Sequence, residues 1–154
     1  MFSRFAFAVT AAAILAAPVA MACPDWRAQP YFGTIDLDAG FTPDPYVRRI
    51  TAGGTINLER CFDGWSGFVT GRPDFDLNWY GNASQLTIAI EAGADAVLLI
   101  NAPDELFYYN DDTYGTDPSI TFYNPQPGLY DIWVGSYDGS RRNPARLVIT
   151  ELDY

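Results

Sequence analysis

The chain has 154 residues, nine arginines and no lysine, 19 aspartates and glutamates, and a formal net charge of −10. Nucleic acid is excluded as a partner, because binding a phosphate backbone needs a basic stripe and the sequence holds none. Histidine is also absent, which removes Ser-His-Asp and Cys-His catalysis and imidazole zinc sites, and the lack of lysine removes Schiff bases and Walker-type phosphate binding.

Residues 1–22 place Arg4 ahead of an apolar run and end in Ala20-Met21-Ala22, the small-x-small pattern of a cleaved secretory signal. The apolar stretch Phe5 to Ala17 falls short of the roughly 20 residues a bilayer span needs. No later stretch is long and apolar enough either, so a mature chain without a transmembrane segment is expected to start at Cys23. Removing residues 1–22 takes away one arginine and no acid, and leaves one domain, 23–154, of secreted or periplasmic character. Cys23 and Cys61 are the only cysteines. In an oxidising compartment such a pair reads first as a disulfide, which would contribute about 3–4 kcal/mol on the chain-entropy view. The alternative is a lipid-modified Cys23, as in bacterial lipoproteins, which would leave Cys61 unpaired.

After a Pro/Trp-rich lead, Cys23 to Pro30, strands are expected at 31–37, 55–61, 66–70, 76–80, 85–91, 96–101, 106–109, 119–123, 129–137 and 145–151. Turn formers separate them: Gly53-Gly54, Asp63-Gly64, Gly81-Asn82, Pro103-Asp104, Asp117-Pro118, Pro125 to Gly128 and Asn143-Pro144. Leu86, Ile88 and Ile90 alternate with Thr87, Ala89 and Glu91, a period of two that gives one buried face. The run Ala96 to Ile100 does not alternate and belongs in the middle of a sheet covered on both sides. Half-buried faces need a second sheet, so the fold expected is all-β: a two-sheet antiparallel β-sandwich, jelly-roll-like, with a closed barrel as the alternative.

Candidate chemistry is sparse. Gly64-Trp65-Ser66-Gly67 begins like a nucleophile elbow, but Phe68 stands where G-x-S-x-G needs its last glycine. Two carboxylates can hydrolyse a glycoside, and Asp74/Asp76 or Asp111/Asp112 are the candidate pairs for a small hydrolase. No catalytic residue is assigned and an enzyme is not expected. For binding, Asp95, Asn101, Asn110, Asp111 and Asp112, with Asp104, would offer oxygen ligands to calcium if the fold returned their loops to one edge. The reading preferred for the same residues is as turn caps through side-chain to backbone bonds. Trp133 and Tyr137 lie in an aromatic strand and are candidates for a ligand-stacking platform, with core packing as the alternative. Phe107-Tyr108-Tyr109 and Phe122-Tyr123 form further aromatic clusters.

From about Asp74 onward the chain resembles the bacterial pre-peptidase C-terminal domain, a secreted β-sandwich related to the collagen-binding domains of clostridial collagenases. The matching residues are Asp76-Leu77, Asn110-Asp111-Asp112 ahead of Pro118, and Pro127-Gly128-Leu129-Tyr130 leading into Asp131-Ile132-Trp133-Val134. It is also similar to small exported alphaproteobacterial proteins that share the Trp-Val-Gly-Ser/Thr-Tyr strand and are sometimes labelled chymotrypsin-like peptidases, a label this histidine-free sequence does not support. The resemblance implies an accessory domain of secreted hydrolases, sometimes with calcium. Here the sandwich is expected to be free-standing, its client a separate molecule. The function expected is an exported, non-catalytic binding module for a protein, peptide or glycan, with a carbohydrate-binding module as the alternative.

Overall fold

The computed structural model describes residues 23–139 and 141–154; the signal peptide expected over residues 1–22 lies outside them. Eleven strands form among the described residues: β1 Thr34–Asp38, β2 Tyr46–Ala52, β3 Ile56–Asn57, β4 Phe68–Val69, β5 Phe75–Tyr80, β6 Gln85–Ala92, β7 Ala96–Asn101, β8 Phe107–Asn110, β9 Ser119–Tyr123, β10 Gly128–Ser136 and β11 Asn143–Thr150. A single 3-10 turn, Leu58–Arg60, interrupts the stretch expected to be one strand over 55–61. Asn57 starts that turn by accepting a hydrogen bond from the Glu59 amide, the local side-chain bond that draws Asn out of strands.

The strands make a two-sheet β-sandwich. One sheet runs β2-β11-β6-β9, and the other is built around β10, which pairs with β5 and β4 on one side and with β7 on the other. β1 extends this second sheet beyond β5, β8 beyond β7, and β3 beyond β4. All pairings are antiparallel except that of β1 with β5, which is parallel, so the antiparallel expectation fails at this one edge. β2 lies outside the expected strands altogether. It is an edge strand whose Val47, Arg48 and Arg49 are all exposed, which leaves no apolar alternation to read.

The inner faces close a single core. Phe75, Leu77 and Trp79 from β5, Leu98 and Ile100 from β7, and Ile132 and Val134 from β10 meet Leu86, Ile88 and Ile90 from β6 and Leu147 and Ile149 from β11. β7 is buried along its whole length, as expected of a central strand covered on both faces. Its outward side belongs to a second cluster, in which Val97, Leu99 and Trp133 are covered by Leu58, Val69, Phe62, Trp65 and Trp26. This cover is the segment preceding β5 folded across the sheet. The Cys23–Cys61 disulfide fastens it, and uses the sulfur that a lipid on Cys23 would need. The close approach of the cover depends on Gly54, where a Cβ would fall 1.9 Å from the Val69 carbonyl carbon.

Candidate functional site: an aromatic cleft and a buried carboxyl pair

Two turns meet at one end of the sandwich: the β7–β8 turn over 102–106 and the β9–β10 turn over 124–127. The first is shaped by Asp104, whose Oδ1 accepts from the Leu106 amide at 3.0 Å, and by Glu105 in the left-handed region at φ 63°. The second starts at Asn124, also left-handed at φ 51°, a conformation Asn tolerates better than most residues. β8 and β9 are edge strands of opposite sheets, and Tyr108 of one meets Phe122 of the other across the seam of the sandwich, while Phe107 and Tyr109 pack on the far side of their sheet.

Between the turns opens a cleft of about 350 Å³ walled by Tyr108, Phe122, Tyr123 and Tyr130, with Asn124 and Gln126 at its rim. Phe122 is the hinge of the wall. Its ring stands edge-on to Tyr108 at 5.0 Å and to Tyr130 at 5.1 Å, geometries favoured by the ring quadrupoles. The phenols are fixed by hydrogen bonds. Tyr108 donates to Asp104 Oδ2 at 2.6 Å and Tyr130 to the Gln126 carbonyl at 2.9 Å. The Asp104 hydrogen bond raises the Tyr108 pKa, and burial pushes Tyr130 up to about 12, so both rings stay neutral donors at physiological pH. Tyr123 is 75% exposed and stands free at the mouth.

On the other side of the Ala102-Pro103 wall lies a second cavity of about 310 Å³, bounded by Trp26, Asn101, Pro103, Glu105, Leu129 and Asp131. Register brings Asp76 on β5 opposite Asp131 on β10, and Asp131 opposite Asn101 on β7. The two carboxyls are only 8% and 2% exposed and lie within hydrogen-bonding reach of each other. Burial pushes Asp76 up to about 6; burial and the Asp76 charge push Asp131 up to about 7. Such a pair holds one proton between its members below neutrality. Oδ1 of each has no hydrogen-bond donor among the described residues.

Of the carboxyl pairs read from the sequence, Asp74/Asp76 separates, while Asp111 and Asp112 stay neighbours at one end of the β7–β8 pair. Asp74 does not join Asp76; its Oδ2 accepts from the Val134 amide at 2.8 Å, supplying the acceptor that the β10 ladder lacks there. Burial raises Asp74 to about 7 despite that bond. The calcium candidates also divide. Asp95, Asp111 and Asp112 share one end of the β7–β8 pair, where burial and the charges of Asp112 and Asp111 raise Asp95. Asn101 sits at the opposite end of β7, beside Asp131. Asn110 braces its own turn, its Oδ1 accepting from Thr113 Oγ1 at 2.7 Å and from the Ser119 amide at 3.1 Å. Among the described residues no group of three or more acidic or cysteine side chains is placed to hold a metal ion. The stacking platform expected at Trp133 requires correction: Trp133 is fully buried, because its face of the sheet lies under the disulfide-fastened cover. Tyr137, two turns of the pleat away, is 47% exposed. Sequence reading missed Asp131 as a site residue, since its partner lies 55 positions earlier and only strand register joins them.

The fold and these two cavities define a β-sandwich with a recessed, aromatic-lined end. Among solved structures the chain is similar to the pre-peptidase C-terminal domain of a collagenase from Bacillus anthracis, the domain type its motifs resemble, with 17% identity over 80% of this chain and 99% of that one and a TM-score of 0.46. It is also similar to PliG, a periplasmic inhibitor of g-type lysozyme from Aeromonas hydrophila, with 14% identity over 77% and 96% of the two chains and a TM-score of 0.38. No family model and no curated protein sequence matches the chain.

Proposed function

We propose that the protein is an exported, non-catalytic binding module that grips a peptide segment of a partner protein in the aromatic cleft between β8 and β9. The observation carrying this reading is the cleft itself: four aromatic walls, two of them phenols whose hydroxyls are tied to Asp104 and Gln126 and a third, Tyr123, free at the mouth. Concave apolar walls with a few placed polar groups are what ligand sites generally offer. The disulfide supports residence outside the cytosol. No helix among the described residues is long and apolar enough to cross a membrane.

Catalysis finds little support. A retaining glycosidase needs carboxyls about 5 Å apart and an inverting one about 6.5–9.5 Å, whereas Asp76 and Asp131 are buried within hydrogen-bonding reach of each other, closer than either geometry. The test is binding to peptide and glycan arrays by the protein and its Tyr123→Ala variant. Capture of peptides that weakens about tenfold on removing Tyr123 supports the reading, given that interface tyrosines often carry such a share of the affinity. Glycan capture with the same dependence would transfer the site to carbohydrate, and capture indifferent to Tyr123 would remove the cleft from consideration.

A second reading adds calcium at Asp95, Asp111 and Asp112, which as they stand are not placed to hold an ion and would have to close around it; the unpaired Asp95 Oδ1 and the two acids that raise its pKa favour it. Native-state binding must raise the unfolding midpoint by mass action. A calcium-dependent rise that disappears in the Asp111→Asn, Asp112→Asn double variant supports it; an unmoved midpoint leaves these residues to turn formation.

A further inference from the structure

We propose that the cavity beside Asp131 is a pocket for a guanidinium group, the tip of an arginine side chain presented by the bound peptide. The identification of the ligand as a peptide rests on the function proposed above; the cation preference rests on the cavity alone.

Asp131 lines the cavity, is 2% exposed, and its Oδ1 meets no donor. A buried carboxyl is costly unless a donor or an opposite charge satisfies it, and its nearest charged neighbour, Asp76, is of the same sign. Glu105 adds a further carboxyl at the rim. The Glu105 carboxyl is open at the rim and Asp131 Oδ1 lies behind the cavity wall, shielded from solvent until that wall yields; both carboxyls favour a cationic donor.

The walls decide which cation. Trp26, Pro103, Pro127 and Leu129 are apolar and would not replace the water around a metal ion or a compact ammonium group. A guanidinium is planar and weakly hydrated, it stacks on indole, and its stem covers apolar surface. The chain shows the attraction at this same ring, since the Arg27 guanidinium lies 4.2 Å from the Trp26 ring centre, and a ligand guanidinium would stack there by displacing it. A volume of about 310 Å³ accommodates that group and its stem, and greatly exceeds a bare ion. Asn101, in register with Asp131, adds an amide beside the carboxyl.

The test is isothermal titration of the purified protein at pH 8, where Asp131 is ionised, with butylguanidinium chloride at millimolar concentration. Butylurea, its neutral isostere, and calcium chloride are titrated in parallel. Saturable binding of butylguanidinium alone is expected, weakened at least about tenfold in Asp131→Asn through loss of a charge-assisted bond. Trp26→Leu leaves the carboxyl pair in place and is expected to weaken binding as well, which protects the result should Asp131→Asn fold poorly. Tyr123→Ala lies across the Pro103 wall and is expected to bind the probe normally, so failure of the cleft and failure of this pocket are separable. Equal binding of butylurea, no saturable butylguanidinium binding, or saturable calcium binding abolished by Asp131→Asn would each overturn the proposal.

Discussion

At the scale of single residues, the aromatic side chains divide by what covers them. Trp133 and Tyr123 are both aromatic strand residues, yet the first is fully buried and the second 75% exposed. Trp133→Ala should therefore cost about 3–5 kcal/mol in denaturant unfolding, whereas Tyr123→Ala should change stability by no more than about 0.5 kcal/mol. Comparable losses in both would contradict this division. The sequence could not separate them, because alternation along β10 reports which residues share a face and not whether a distant segment lies over it. The Asp76–Asp131 pair was hidden for a related reason: neighbours across strands are set by register, which no local spacing records. The aromatic runs Phe107 to Tyr109 and Phe122-Tyr123 were each legible, but the meeting of Tyr108 with Phe122 across the seam was not.

At the scale of elements, legibility followed burial. β6 and β7 lie within a residue of their expected bounds, since alternation in one and an unbroken apolar run in the other are imposed by the core. β2 escaped notice because an edge strand can carry Arg48 and Arg49 toward solvent without penalty. Arg48 reaches the Phe32 carbonyl at 3.1 Å, a contact that fastens the edge to the segment before β1. The cover over β7 and β10 is held by stacked rings, Trp65 on Tyr109 at 5.3 Å and Phe62 on Trp65 at 4.6 Å, and by the Tyr109 hydroxyl donating to the Ser66 carbonyl. Gly54→Ala would drive a methyl into the Val69 backbone, which cannot yield as a flexible side chain would. The expected outcome is a loss of folded protein on expression, or a fall in unfolding free energy of at least about 3 kcal/mol, in line with severe overpacking. A variant as stable as the parent would show that the cover does not approach so closely. Replacing Cys23 and Cys61 by serine should remove about 3–4 kcal/mol on the chain-entropy view, read in the same unfolding experiment.

For the whole molecule, the buried aspartates set the response to pH. Asp74, Asp76 and Asp131 titrate at about 7, about 6 and about 7 in the folded chain, against an ordinary value of 3.8. A raised carboxyl pKa means that the folded state holds protons the unfolded chain has already released. Stability from these groups is complete below about pH 4 and is lost as pH rises through about 6–7. The unfolding midpoint is expected to fall between pH 4 and pH 7 and to level above it, measured by denaturant titration at each pH. Asp131→Asn removes one carboxyl that must ionise and gives Asp76 a donor, so the variant should exceed the parent in stability at pH 8 and match it near pH 4. A parent curve that climbs through this interval would show that the three aspartates ionise normally.

The Ala102-Pro103 wall common to both cavities has a further consequence. One short turn, with Pro103 restricting its backbone, separates the two recesses and so sets the distance between them. On the two proposals above, an occupant entering both would carry the side chain that fills the cleft and its basic group that same distance apart, so the turn would work as a gauge: a segment one residue out of step would fill only half of it.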